Sequence, residues 1–132
     1  MNAGWVKVAA AIGALSVGLG AFGAHGLKGK IEPEKLANFE TAVRYQMYHA
    51  LALLATAWYV GHGGSRWSRM SAWSFLIGVL FFSGSIYGLT FTTIRWFIPF
   101  TPAGGLLLML GWVFLGLSSR RSNRLQTPST AP

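Results

Sequence analysis

Glu40, Arg44, Tyr45, Gln46 and His49 fall within ten residues of chain. A spacing of four joins Glu40 to Arg44, Arg44 to Tyr48 and Tyr45 to His49. In a helix that spacing puts each pair on one side. A carboxylate, a guanidinium, a phenol, an amide and an imidazole gathered in this way could pass protons or hold a small polar ligand. His25 lies 24 residues before His49. It is expected to approach His49 across a helix-to-helix connection. The structural reading of the same residues is a hydrogen-bonded network that anchors a helix at the membrane boundary. Glu40 and Arg44 are also spaced as an ordinary surface ion pair, worth a few tenths of a kcal/mol. The structural reading is favoured, because ion-pair networks commonly imitate sites.

Other chemistries find little support. The chain has no cysteine, which removes thiolate ligands, disulfides and cysteine nucleophiles. His25, His49 and His62 share no ligand spacing, so no metal site and no cofactor is expected. No Walker loop, dinucleotide fingerprint or nucleophile elbow is present, and no enzymatic activity is expected.

The elements that must position these residues follow from composition. Hydrophobic residues make up 52% of the 132 and charged residues 11%, against about 25% charged in a soluble domain. So few charges cannot cover a soluble globule, whereas lipid accepts apolar side chains on the outside. A bilayer core needs about 20 mainly apolar residues in a helix. Four runs qualify, at about 5–24, 46–61, 71–93 and 103–117. A cleaved signal peptide is the rival reading of the first. Its apolar stretch is long for one, so a retained helix is favoured. Leu36, Phe39, Val43 and Met47 make one apolar stripe, so residues 33–45 should form an amphipathic helix leading into the second span. Pro33 suits its first position and Glu34 its first turn. Thr101 is expected to cap the fourth helix.

The expected fold is therefore all-α, a polytopic four-helix transmembrane bundle over residues 1–117. Residues 118–132, which carry Arg120, Arg121 and Arg124, are expected to be a disordered basic tail. Small residues at helical spacing should pack the helices: Ala10, Ala14 and Gly18 in the first span, Gly84 and Gly88 in the third, and Gly104 and Gly111 in the fourth.

The net charge of +8 would suggest nucleic acid in a soluble protein. Here the basic residues lie between and after apolar runs, so the expected partners are the bilayer and anionic lipid headgroups. A homo-oligomer or a membrane-protein partner also fits the small-residue faces. Nucleic acid is not expected. With four spans, Lys7, Arg66, Arg69, Arg120, Arg121 and Arg124 share the side of the termini, and Lys28, Lys30, Lys35, Arg44 and Arg95 the other. The arginine cluster abutting the last span places both termini in the cytoplasm.

The segments GAFGAHGLKGK, NFETAVRYQMYHALAL, FSGSIYGLT and FTPAGGLLLMLGW resemble a family of small bacterial inner-membrane proteins of unknown function. These are the YgdD/YwdK-like proteins, which have eukaryotic relatives. The resemblance covers nearly the whole chain to about Leu117. It implies a four-span membrane protein and no activity. Matching its motifs singles out Gly23, His25, Gly26, Tyr45, Gln46, His49, Ser83, Gly84, Ser85, Pro102, Gly104 and Gly105. Two function classes remain: a non-enzymatic structural, accessory or partner-binding bundle, and an oligomeric conduit or carrier for protons or a small solute.

Overall fold

Asn2 starts the first helix, α1 (Ala3–Phe22), by accepting the Trp5 N–H at 3.2 Å. The computed structural model describes the backbone of residues 1–125 and side chains through residue 119. After Phe22 the helix widens into a π-turn, Gly23–Leu27. The next helix lies close here: a Cβ on Gly23 would sit 3.0 Å from the Phe39 ring. Gly29, at φ +79°, reverses the chain in the left-handed region that glycine tolerates.

Helix α2 (Pro33–Gly61) begins with Pro33 and carries Glu34 in its first turn. It runs unbroken for 29 residues, so the amphipathic stretch and the second apolar run are one helix, as their phase suggests. The Asn2 N–H donates to the Ala57 carbonyl at 3.1 Å, which pins the start of α1 to the end of α2. The two helices are thus antiparallel. Gly63, at φ +86°, opens a tight turn. Ser65 then caps α3 (Arg66–Phe91) by accepting the Ser68 N–H at 3.3 Å.

The cap moves the start of α3 forward. Arg66, Trp67 and Arg69, which precede the apolar run expected at 71–93, are the first turn of a helix. A 3-10 turn at Arg95–Phe97 leads to α4 (Phe100–Leu125). Thr101 lies inside that helix, and its hydroxyl pairs with Ser85 at 2.6 Å instead of capping. Residues 118–125, expected to be disordered, continue α4. Arginine is a good helix former, and the Ser118 and Ser119 hydroxyls bond back to the Leu115 and Gly116 carbonyls of the same helix. Residues 126–132 of the expected tail lie outside the described residues.

All regular structure among the described residues is helical. Helix α3 packs most extensively against α4 and then α2, and α1 packs on α2. A small apolar core joins all four helices: Ala9 from α1, Ala52 and Leu53 from α2, Ala72, Phe75 and Val79 from α3, and Leu108 from α4. Three segments are long and apolar enough to cross a membrane: Ala3–Leu27, Arg66–Phe91 and Arg95–Ser119. Helix α2 is long enough but less apolar, since its sequence includes Glu34, Lys35, Glu40, Arg44, Gln46 and His49.

Glycine decides the closest helix approach, between α3 and α4. A Cβ on Gly104 would collide with the Phe82 backbone N, and would lie 2.8 Å from its Cα and 2.9 Å from the Gly78 carbonyl oxygen. On Gly111 it would meet the Phe75 ring at 2.6 Å. Gly104 and Gly111 are packed as expected. The rest of the expected packing set divides differently. Gly88 faces the Phe97 ring of the 3-10 turn rather than another long helix. A Cβ on Gly84 or Gly18 would meet nothing within 4 Å, and Ala10 and Ala14 are exposed. Lipid is as apolar as these side chains, so small-residue spacing cannot say which face of a helix turns inward. On α1 the inward face carries Ala9 and Ser16, both buried.

Candidate functional site

One face of α2 carries polar groups into the bundle at positions 42, 46, 49 and 56, a span of about 21 Å at the helical rise. The Ser83 hydroxyl of α3 donates to the Ala42 carbonyl at 2.7 Å. Gln46 is 3% exposed and joins three helices. Its Nε2 donates to the Ile12 carbonyl of α1 at 3.0 Å, and its Oε1 accepts from the Tyr87 hydroxyl of α3 at 2.7 Å. A carbonyl only accepts, so the amide nitrogen must face Ile12.

His49 joins α2 to α4. Its Nε2 lies 3.2 Å from Trp112 Nε1, and its Nδ1 lies 2.6 Å from the Tyr45 carbonyl. An indole N–H only donates, so Nε2 must be bare, and Nδ1 must carry the proton it gives to Tyr45. The two bonds together select the neutral Nδ1–H tautomer. The imidazole is further enclosed by the Phe75 ring at 5.6 Å and the Trp112 ring at 6.2 Å. Nearer the other end, the Thr56 hydroxyl donates to its own helix at Ala52 (2.9 Å) and lies 3.5 Å from Ser71 Oγ. The Ser71 hydroxyl in turn donates to the Gly111 carbonyl at 2.8 Å.

The residues predicted to cluster therefore separate. Gln46 and His49 are buried. Glu40, Arg44 and Tyr45 are exposed. Arg44 donates to Thr41 Oγ1 at 3.5 Å instead of closing the pair expected with Glu40. Glu40 and Arg44 border a shallow groove between α1 and α2 with Gly20, Phe39 and Val43. Tyr45 lies against the Phe82 ring at 4.9 Å.

His25 is exposed in the π-turn, beside the level of Phe39. His49 lies ten residues further along α2, or about 15 Å at the helical rise. The expected approach of His25 to His49 does not occur. A polar helix face is long, and joining two helices at one end brings together only the residues at that end. His62, at the opposite end of α2, stacks on Trp58 at 4.5 Å. No three His, Asp or Glu residues gather to hold a metal among the described residues.

Tyr87 and Trp112 are the partners that the sequence reading missed. A signal was available. Both sit inside apolar runs rather than at their ends, where amphipathic aromatics usually lie. A phenol or indole held away from water normally finds a hydrogen-bond partner. Chemically, the network holds helices together. Its hydroxyls donate to main-chain carbonyls or to Gln46, and both His49 nitrogens are engaged. Among the described residues, no buried side-chain polar atom is without a partner.

A family described as "Protein of unknown function (DUF423)" matches residues 19–105. A UPF0382 membrane protein of Staphylococcus haemolyticus is 45% identical over 105 residues, covering 80% of this chain and 85% of that protein. The UPF0382 membrane protein YwdK of Bacillus subtilis is 42% identical over 102 residues, covering 76% and 83%. A UPF0382 membrane protein of the yeast Schizosaccharomyces pombe is 41% identical over 112 residues, covering 80% and 92%. No solved structure matches the chain. The matched stretch takes in Gln46, His49, Ser83, Tyr87 and Gly104, and the helices that carry them are those of a membrane protein: this chain belongs to the UPF0382 (DUF423) family of membrane proteins, whose function is unknown.

Proposed function

We propose that the protein is a four-span bundle of the bacterial inner membrane that works without catalysis, as a structural, accessory or partner-binding unit. One observation carries this reading. The polar groups best suited to a site, Gln46 and His49, are spent on bonds between helices: Gln46 to α1 and α3, His49 to α4. A site for a substrate needs donors or acceptors that remain free to meet it. The outer faces of the bundle are then what the protein offers to partners and lipid.

Treating α2 as the fourth span rests on which side its polar residues face. Gln46 and His49 lower its hydropathy but point inward. Its outward residues over the second half are Tyr45, Tyr48, Leu51, Ala55 and Trp58, all acceptable to lipid. Its first turns, with Glu34, Lys35 and Glu40, suit the headgroup layer. Four spans put both termini on one side, and the arginines at positions 120, 121 and 124 favour the cytoplasm. Reporter fusions after residue 132 and within residues 62–65 should both report cytoplasm. A third reporter within residues 28–32, before α2, should report the opposite side; finding it on the same side would remove α2 as a span, and a shared periplasmic location for the first two fusions would reverse the orientation.

The carrier reading is weaker, because both His49 nitrogens are already paired. Purified protein in liposomes should show proton and small-solute leakage no faster than empty liposomes. A flux well above that background, lost in His49→Gln with folding retained, would replace the accessory reading with the carrier one.

A further inference from the structure

Along the α3–α4 seam runs an open groove of roughly 430 Å³, within the usual size of small-ligand sites. Arg66 and Arg69 stand at its mouth, and Trp73, Ile77, Leu107 and Phe114 line its length. From Arg66 to Ile77 the groove follows α3 for about 16 Å at the helical rise. The mouth lies at the start of an apolar helix, hence at headgroup depth, and the apolar part runs inward into the hydrocarbon layer.

We propose that this groove binds one anionic phospholipid, its phosphate between Arg66 and Arg69 and an acyl chain along Trp73, Ile77 and Leu107. The charge is complementary and unopposed. All three acidic residues, Glu32, Glu34 and Glu40, lie in the first part of α2 or just before it, at the far end of the bundle. Both arginines are exposed. Arg66 sits over the Trp67 ring at 5.0 Å, and Arg69 gives one N–H to the Gly64 carbonyl at 3.3 Å. Each therefore keeps most of its five donors, in the planar fork that matches a phosphate.

The α3 N-terminus adds partial positive charge at the same place. Ordinary lipid-facing surface lacks this pairing of two guanidiniums with a concave apolar track. The groove at the far end, lined by Lys35, Asn38, Thr90 and Thr101 with Ile86 and Leu89, offers one cation and a more polar wall.

The proposal needs only α3 and α4 in the bilayer, so it stands or falls separately from the four-span accessory reading. The test uses full-length protein extracted from vesicles of equal phosphatidylglycerol and phosphatidylcholine, with retained lipid measured by native mass spectrometry. Wild type should keep phosphatidylglycerol in clear excess. Arg66→Gln/Arg69→Gln changes only exposed side chains, and it should reduce that preference about thirtyfold, given the usual contribution of each of two basic residues near a membrane surface. Leu107→Trp, which obstructs the track, should reduce retention of both lipids. Lys28→Gln/Lys30→Gln, at the far end, should leave retention as in wild type. No phosphatidylglycerol excess in wild type would overturn the proposal. So would an unchanged preference in the arginine variant, or an equal loss in the lysine variant, which would indicate diffuse attraction instead of a site.

Discussion

Gly104→Ala is expected to unseat α4 from α3 and to cost about 3 kcal/mol, the upper part of the range for forcing a methyl group into filled space. The reason is what the new Cβ meets. It would strike the Phe82 backbone and the Gly78 carbonyl, and neither can rotate away as a side chain can. The helices must separate, and the Ser71 bond to Gly111 and the Ser85–Thr101 bond nearby are then strained together. Gly84→Ala is the matched control. Its Cβ would enter open space, and alanine is the better helix former by about 1 kcal/mol in water. Thermal unfolding in a mild detergent should therefore show a large fall for Gly104→Ala and none for Gly84→Ala. Similar midpoints for the two variants would refute the assignment of the close seam to Gly104.

The second large effect is expected at Gln46. Gln46→Leu removes both bonds that join α2 to Ile12 and to Tyr87. It leaves the half-buried Tyr87 hydroxyl without its acceptor. An orphaned polar group costs about 1–3 kcal/mol, and about 2 kcal/mol is expected here. Hydrogen bonds between membrane helices average less than this, about 0.6 kcal/mol, so most of the effect should be the orphan itself. Tyr87→Phe combined with Gln46→Leu removes the orphan. The double variant should then be more stable than the sum of the single losses predicts, by about 1 kcal/mol. Unfolding by a denaturing detergent titrated into a mild one measures all four species. Strict additivity would show that Gln46 and Tyr87 do not act as a pair.

These two residues also mark where sequence reading succeeds and where it stops. Gln46 and His49 were recognisable as important, because a polar side chain in an apolar run must find a partner. Their partners were not. Tyr87 lies 41 residues from Gln46 and Trp112 lies 63 from His49, and nothing local links them. The same distance problem undid the expected meeting of His25 with His49. Glu40 and Arg44 were placed on the right helix, but their side chains point outward.

The sequence by itself determined the class of solvent, the helices and their turns. Those depend on composition and on neighbours a few residues apart. Apolar runs must become helices in lipid, because no water is present to satisfy an open backbone. Pro33 marks its helix start by chemistry confined to a single turn; Asn2 and Ser65 act in the same way, but they lie ahead of the apolar runs at 5–24 and 71–93 and were not legible from hydropathy. Only the tertiary structure decided which face of each helix turns inward, and so which small residues pack. In water, burial of apolar surface would have marked that face as a stripe. Within a membrane the surroundings are as apolar as the core, and Ala10, Ala14 and Gly18 have the spacing of a packed seam while facing outward. The inward face is set by the few polar groups that must find one another, Ser83 with Ala42, Gln46 with Tyr87, and His49 with Trp112. Those pairings exist only once the helices are side by side.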